Sequence, residues 1–240
     1  MISLNSLSKT FGDKVAVNDL SLEVPTGKIF GFLGPNGAGK STTIKIIVGI
    51  EKPTSGEIIV NGLNTSKDSI SVKKQMAYVP DEPVFYDHMT GIQYLNFIAD
   101  MFEVSEADRK DRITNYADLF DLSDSLNKFT STYSRGMKQK LSLIAAFVHL
   151  PKIIILDEPM VGLDAKAYKI LKDALCNYAE NGNTIFYSTH VMDVAERFCD
   201  NIAIINKGEL IYSGTFEDLK NKKGTDNSTL EELFLELTEV

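Results

Sequence analysis

The spacing of hydrophobic residues changes along the chain, and each change predicts a different kind of element. Residues 2–33 carry apolar side chains in approximate alternation around turns at 12–13 and 25–27, which predicts short antiparallel strands. Residues 90–150 carry them at three- and four-residue intervals with no strand between, which predicts three helices. This order of strands and helices predicts an α/β fold with an inserted helical segment.

Polar residues mark where the three helices begin. Thr90 and Gln93 have the spacing of a capping box, in which each side chain satisfies a backbone N–H of the first turn. Ser105 with Asp108 predicts the start of the second helix, and the third is expected from about Ser134. The apolar faces of these helices are expected to pack into a core.

Other stretches read as strands. A run without alternation is typical of a strand buried on both faces of a parallel sheet, and 152–159 is the clearest example. The tail from residue 216 predicts a polar loop at 221–228 and then a short amphipathic helix. The remaining strand patterns lie at 29–33, 57–60, 76–80, 184–188, 202–205 and 209–213, and the last two predict a hairpin.

Composition narrows the class of protein. The 240 residues include 43% hydrophobic residues, which is enough for one compact α/β domain with an inserted subdomain. A formal net charge of −8 argues against a general nucleic-acid binder, because phosphate backbones select basic surfaces. Cys176 and Cys199 have no metal-ligand spacing, which indicates a reducing compartment.

The chain shows no targeting or spanning segment. Residues 1–5 lack the basic and apolar regions of a signal peptide, and no run approaches the roughly 18 apolar residues that would cross a bilayer. We therefore expect a soluble, cytoplasmic protein. If it works at a membrane, another chain brings it there.

One stretch carries the strongest chemical signal, because it matches the phosphate-loop pattern G-x-x-x-x-G-K-[ST]. An apolar run precedes it and a helix-like run follows, which is the context that the motif requires. Backbone N–H groups there can bind a triphosphate, Lys40 can reach its β and γ phosphates, and Ser41 is placed to ligate Mg²⁺. The loop consists of Gly34, Pro35, Asn36, Gly37, Ala38, Gly39, Lys40 and Ser41, and Thr42 continues into the helix.

Acidic residues lie at the carboxyl ends of two of the predicted strands. Asp157 is suited to hold Mg²⁺ through its water shell, and Glu158 is suited to orient or deprotonate an attacking water. Asp81 and Glu82 also follow a strand, where ligand sites of α/β sheets tend to lie, although a solvated acidic turn fits the same pattern. His190 ends another strand, where it can contact a γ-phosphate or simply be a satisfied surface or core histidine.

With these positions fixed, the whole chain resembles the nucleotide-binding subunit of an ATP-binding-cassette (ABC) transporter. The segment 133–137, Tyr-Ser-Arg-Gly-Met, lies where the family carries its signature Leu-Ser-Gly-Gly-Gln, about 20 residues before the Asp-Glu strand. The segment 158–164 resembles the stretch that ends in the family's dimer-contact loop, and 188–190 resembles its switch histidine. Phe11 is placed like the aromatic that stacks on adenine, although its spacing fits a core-anchoring Phe equally well.

The resemblance implies a fold and a division into units. The expected fold is a P-loop NTPase core of mostly parallel sheet, with an N-terminal antiparallel β subdomain and an inserted α-helical subdomain. The core is expected to comprise residues 1–88 and 151–214, the helical subdomain 89–150, and a helical tail 215–240, all within a single ABC ATPase domain, 1–240.

The resemblance also implies a mechanism. Two such subunits close head to tail, so that ATP on one phosphate loop is capped by Ser134 and the backbone at Gly136 of the other. Glu158 then polarises water and His190 contacts the γ-phosphate, and hydrolysis reopens the pair. The implied ligands are ATP and Mg²⁺, and the implied partners are a transmembrane permease and a second cassette, identical or related, on the cytoplasmic face of the membrane.

Three residues depart from the family pattern. Arg135 replaces the first signature glycine and Met137 the final glutamine. Asp81 stands where the family usually has a glutamine that helps to ligate Mg²⁺, and its shorter side chain can still reach the metal through water. We therefore expect hydrolysis to depend more strongly on engagement of the permease.

The signature variant and the short tail resemble the drug, antibiotic or peptide exporter branch. The segment 81–89 is expected either to face the permease or to pack between subdomains. The alternative function is a soluble ABC-family ATPase that is not coupled to transport. A GTPase is disfavoured because residues 206–209, Asn-Lys-Gly-Glu, lack the aspartate that reads guanine.

Overall fold

The computed structural model describes residues 1–224 and 228–238, which form two sheets and the helices packed on them. The strands are β1 (Ile2–Phe11), β2 (Lys14–Val24), β3 (Ile29–Leu33), β4 (Ser55–Val60), β5 (Leu63–Asn64), β6 (Met76–Val79), β7 (Ile153–Asp157), β8 (Thr184–Thr189), β9 (Asn201–Asn206) and β10 (Glu209–Gly214). The helices are α1 (Lys40–Ile47), α2 (Ser69–Lys73), α3 (Gly91–Met101), α4 (Glu106–Leu119), α5 (Arg135–Val148), α6 (Ala165–Glu180), α7 (Met192–Phe198), α8 (Phe216–Lys223) and α9 (Leu230–Thr238).

The predicted N-terminal antiparallel sheet is confirmed, with strand order β2-β1-β4-β5. Its alternating apolar residues turn one face inward, where Ile2, Leu4 and Leu20 are fully buried against the main sheet and α1. This arrangement follows from the two-residue period of a strand.

The main sheet has the order β10-β9-β3-β8-β7-β6. Strands β6, β7, β8, β3 and β9 run parallel, and β10 pairs antiparallel with β9 as the predicted hairpin. All residues of β3 and β7 are buried, as their unbroken apolar runs predict. The carboxyl ends of the parallel strands meet at one edge, so the segments that follow β3, β6, β7 and β8 are neighbours.

The three predicted helices between β6 and β7 are confirmed, and so are their starts. Thr90 and Gln93 form the capping box of α3, and the Ser105 side chain accepts a hydrogen bond from the backbone of Asp108 at the start of α4. The Ser134 side chain accepts one from the backbone of Met137 at the start of α5. These helices share a hydrophobic core with α6 and one face of the main sheet.

Helices α2, α7 and α8 did not emerge from the sequence pattern. The predicted polar loop at 221–228 is wrong at its start, because residues 221–223 complete α8, and residues 225–227 lie outside the described part of the chain. A capping box between Thr215 and Asp218 stabilises α8, and Leu219 is its one buried residue, so the helix has almost no apolar periodicity. The amphipathic helix α9 is confirmed, with Leu230 and Leu233 buried.

Candidate active site

The phosphate-loop residues connect β3 to α1 at the carboxyl edge of the main sheet. Gly39 occupies the N-cap of α1 and has no side chain with which to bond the first turn. The N–H groups that begin a helix lack partners within it, so the first turn of α1 can donate to an anion. The Thr43 hydroxyl donates to the carbonyl of Gly39 at 2.9 Å and so fixes the turn.

Two glycines allow this loop to pass close to other backbone. A Cβ on Gly34 would lie 2.5 Å from the carbonyl oxygen of Ile205, at the end of β9. A Cβ on Gly39 would lie 2.5 Å from the carbonyl oxygen of Ala16, and its φ of +104° is one that L-residues rarely adopt. Both positions therefore require glycine.

Lys40 is buried, and its ammonium group is held inside the loop. Its Nζ donates to the carbonyl oxygens of Gly34 at 2.7 Å and Pro35 at 3.3 Å, and lies 3.9 Å from Oε1 of Glu158. Burial lowers the pKa of Lys40, and the charges of Glu158 and Asp157 oppose that shift. The cation is thus surrounded by oxygen atoms at the point where the motif places phosphate.

Asp157 ends β7 as a buried carboxylate. Its Oδ1 accepts a hydrogen bond of 2.5 Å from the hydroxyl of Ser188, which lies opposite on β8. Burial raises the pKa of Tyr78 on β6, and the charges of Asp157 and Asp81 raise it further. Both carboxylates that the sequence assigns to a metal thus raise the pKa of Tyr78.

Glu158 directs its carboxylate toward two other predicted site residues. Its backbone has a φ of +48°, and its N–H donates to the Ser188 carbonyl at 3.2 Å, so the chain turns sharply after β7. Its Oε1 lies 2.8 Å from Nδ1 of His190, whose side chain is 49% exposed, and on the other side it approaches Lys40. The structure thus brings Lys40, Glu158 and His190 together from three separate segments.

Lys40 and Glu158 border a pocket of about 240 Å³, and His190 lies outside its lining. Asp81 is part of the pocket wall, whereas Glu82 is exposed. The alternative interpretation of 81–82 as a solvated acidic turn therefore holds for Glu82 but not for Asp81. Lys14 and Ala16 line the pocket too, and sequence reasoning missed them because only the register of β2 brings them there. The lining residues are Lys14, Ala16, Asn36, Gly37, Gly39, Lys40, Ser41, Thr42, Asp81 and Glu158. Of the remaining loop residues, Gly34 and Ala38 are buried behind this surface.

Phe11 lies outside the lining of this pocket. Its side chain is 47% exposed, and the ammonium of Lys9 lies 4.6 Å from the centre of its ring. The core-anchoring role that its spacing allowed is therefore wrong. Stacking on adenine stays a prediction, and the exposed ring face is compatible with it.

Ser134 and Gly136 also lie outside the pocket of their own chain. Ser134 is exposed at the N-cap of α5, and a Cβ on Gly136 would lie 2.8 Å from the carbonyl oxygen of Gly162. The start of α5 therefore packs against the loop that follows Glu158. Further along α5, buried Gln139 donates to the carbonyl of Pro159 at 3.1 Å, a second contact with that loop that the sequence did not reveal.

The donor set fits Mg²⁺ only when the nucleotide supplies further ligands. Within the described residues, no group of three or more His, Cys, Asp or Glu side chains is arranged to hold a metal. Ser41 and Asp81 line the pocket, and Asp157 directly precedes the lining residue Glu158 in the chain. Magnesium sites that use one or two carboxylates with substrate phosphates and water have this composition.

Comparisons with known proteins agree with this geometry. The family model described as "ABC transporter" matches residues 17–161. The chain is 32% identical over 238 residues to the ABC-type transporter ATP-binding protein EcsA of Bacillus subtilis (strain 168), covering 99% of this chain and 96% of EcsA. It is 34% identical over 226 residues to the linearmycin resistance ATP-binding protein LnrL of the same organism, covering 94% and 73% respectively.

A solved structure described as the ATP binding subunit of an ABC transporter has the same fold. It superposes with a TM-score of 0.95 at 34% identity, and the match covers 99% of each chain. The pocket, the family match and this superposition agree on one conclusion: the chain belongs to the ABC transporter family, as an ATP-binding and ATP-hydrolysing subunit that works with a separate membrane permease.

Proposed function

We propose that two copies of this cassette, or this cassette and a related one, close head to tail around ATP and so drive a membrane permease. The position of Ser134 carries the proposal. It is exposed at a helix N-terminus that suits an anion, yet it is not part of the phosphate pocket of its own chain. In a twofold dimer the same residue can serve the pocket of the partner.

The predicted site residues then have distinct roles. Lys40 and the N–H groups of α1 bind the β and γ phosphates, and Ser134 with the backbone at Gly136 binds the γ-phosphate from the opposite subunit. Glu158 holds the attacking water and accepts its proton, while His190 fixes the Glu158 carboxylate through Nδ1 and contacts the γ-phosphate.

Ser41, Asp157 and Asp81 are the residues that would hold Mg²⁺. When bound, the ion neutralises phosphate charge that builds up during transfer. The Ser188 hydroxyl contributes by orienting the Asp157 carboxylate. Phe11 is proposed to stack on the adenine ring.

The proposed contact with the permease lies beside the segment 81–89. In that segment Val84 is 88% exposed and Tyr86 is 63% exposed, whereas Phe85 is buried and packs edge-on against Tyr94 at 4.7 Å between ring centres. Tyr94 also lines a mostly apolar groove of about 310 Å³ between the main sheet and helices α3 and α5. An exposed apolar surface next to such a groove suits a helical element of a partner.

The proposed location is the cytoplasmic face of the membrane, reached through the permease. No helix in the described ranges is both long and apolar enough to cross a bilayer. The proposed direction is export, which the printed name of the linearmycin resistance relative supports.

Complementation in mixed dimers tests the head-to-tail arrangement. Lys40→Ala removes the phosphate-binding lysine, and Ser134→Ala removes the proposed partner contact, so homodimers of either variant have two damaged sites. A mixed dimer has one site with both defects and one intact site. We therefore expect each variant alone to be nearly inactive as an ATPase and their mixture to recover activity.

Two outcomes would contradict the arrangement. A mixture no more active than the average of its components would place Ser134 in the site of its own chain or in none. Full activity of Ser134→Ala alone would remove the signature serine from the mechanism. Mixing Lys40→Ala with a second preparation of Lys40→Ala is the control for a concentration effect.

A further inference from the structure

An ion pair joins two residues that depart from the family pattern. Nη2 of Arg135 lies 3.5 Å from Oδ1 of Asp81 within one chain. Asp81 is part of the wall of the phosphate pocket, whereas Arg135 is the first residue of α5, next to Ser134. The pair therefore connects the proposed binding site for ATP with the proposed surface for the partner's nucleotide.

The Arg135 side chain also packs against a third segment, the loop that follows Glu158. A Cβ on Gly162 would lie 3.4 Å from Cγ and 3.5 Å from Cδ of Arg135, so the aliphatic part of the side chain crosses the loop that follows Glu158. Gly136 packs against the carbonyl of the same Gly162. The Arg135 side chain thus links the segment after β6 to the start of α5 across the loop that follows Glu158.

The ion pair between Arg135 and Asp81 is weak enough to be broken when a stronger partner for Asp81 binds. The side chains of Arg135 and Asp81 are 56% and 47% exposed. Ion pairs with this exposure contribute little to stability, because water screens them and two long side chains must be ordered. A divalent cation with a triphosphate nearby offers Asp81 a stronger partner than a single guanidinium does.

We propose that Arg135 is a positioning residue that pairs with Asp81 in the free subunit and is released when Mg²⁺ and ATP bind. The inference rests on the proposed function, because it needs Asp81 to face the metal and α5 to face the partner. In the free subunit the pair favours the position of α5 in which Arg135 lies beside Asp81. Its release frees α5 to meet the second subunit, so the pair disfavours closure of the dimer until the nucleotide and its metal have bound.

Hydrogen exchange of the nucleotide-free protein tests the pair itself. Arg135→Gln and Asp81→Asn should each increase exchange at the N–H groups of α5 from Lys138 onward, the first that bond to backbone within the helix. The double variant should show the same increase as either single variant. Arg135→Lys should retain most of the protection. Unchanged exchange in both single variants, or additive increases, would overturn the proposal. The control is Arg197→Gln, which breaks an ion pair of 2.8 Å with Asp193 in α7 and should leave α5 unaffected.

Dimer formation in Mg²⁺ and ATP tests the consequence. In a Glu158→Gln background, Arg135→Gln should lower the ATP concentration for half-maximal dimer formation about two- to fivefold, the range expected for loss of an exposed ion pair. A rise in that concentration would overturn the proposal, since it would mean that Arg135 instead binds the partner's phosphates. If the Glu158→Gln parent forms no dimer, the proposed head-to-tail function fails, and hydrogen exchange alone decides whether the pair exists.

Discussion

Three glycines of the phosphate loop exclude a side chain for two different reasons, a close contact with other backbone and a left-handed backbone conformation. Gly34 would suffer a close contact, since its Cβ would lie 2.5 Å from the carbonyl oxygen of Ile205. Gly37 has a φ of +82° but nothing within 4 Å of its Cβ. Gly39 combines both problems, with a φ of +104° and a Cβ 2.5 Å from the carbonyl oxygen of Ala16. Alanine at each position is therefore a matched series.

The expected losses of stability follow from these geometries. Gly37→Ala should cost about 1 kcal/mol, because alanine has to adopt a left-handed backbone conformation. Gly34→Ala should cost about 1–3 kcal/mol, since a rigid carbonyl has to move to admit the methyl group. Gly39→Ala should cost roughly the sum of the two, about 2–4 kcal/mol, because neither problem relieves the other.

Urea unfolding followed by circular dichroism measures all three variants under one condition, and the free energy of unfolding is compared with that of the parent protein. The order of loss should be Gly39→Ala, then Gly34→Ala, then Gly37→Ala. If Gly39→Ala is no less stable than Gly37→Ala, the approach of the loop to β2 does not exclude a side chain and this reasoning is refuted. Titration with a fluorescent ATP analogue measures nucleotide affinity, and the loss of affinity should be larger for Gly39→Ala than for Gly34→Ala.

Two further predictions concern buried polar groups. Ser188→Ala should lower the free energy of unfolding by about 2 kcal/mol, because the buried Asp157 carboxylate loses a hydroxyl donor. A loss below about 0.5 kcal/mol in urea unfolding would contradict this prediction. Burial lowers the pKa of His149, whose ring stacks on Phe102, so the folded protein binds its proton less readily than the unfolded chain. His149 therefore contributes stability above its ordinary pKa of 6.5, and this stability is lost as the pH falls through the lowered pKa. The urea midpoint should drop less between pH 7.5 and pH 5.5 in His149→Gln than in the parent protein. An identical drop in both proteins would contradict this prediction.

Local sequence was sufficient wherever structure depends on neighbours along the chain. The alternating residues of β1 and β2 and the unbroken apolar runs of β3 and β7 identify strands without any tertiary information. The caps at Thr90, Ser105 and Ser134 place three helix starts to within a residue. The phosphate loop belongs to the same class, because its function depends on the backbone of one short turn.

Sequence reasoning was insufficient where the structure depends on residues that are distant along the chain. The hydroxyl of Ser188 reaches Asp157 only because β7 and β8 pair in one register, and Arg135 reaches Asp81 only because α5 begins beside the end of β6. Helix α8 was missed for a different reason: its stability comes from a capping box rather than from an apolar face. The motifs predicted candidate site residues, but they did not predict which of those residues contact one another.

The most direct test of the central claim is the rate of ATP hydrolysis by the purified chain and by Glu158→Gln. Glutamine keeps the shape of the side chain but cannot accept the proton of the attacking water, so turnover should fall by roughly 10²-fold or more. The exposed Glu106 provides a control, and Glu106→Gln should hydrolyse ATP at the parental rate. If Glu158→Gln also hydrolyses ATP at the parental rate, Glu158 is not the catalytic base, and the account of the site given by its contacts with Lys40 and His190 is wrong.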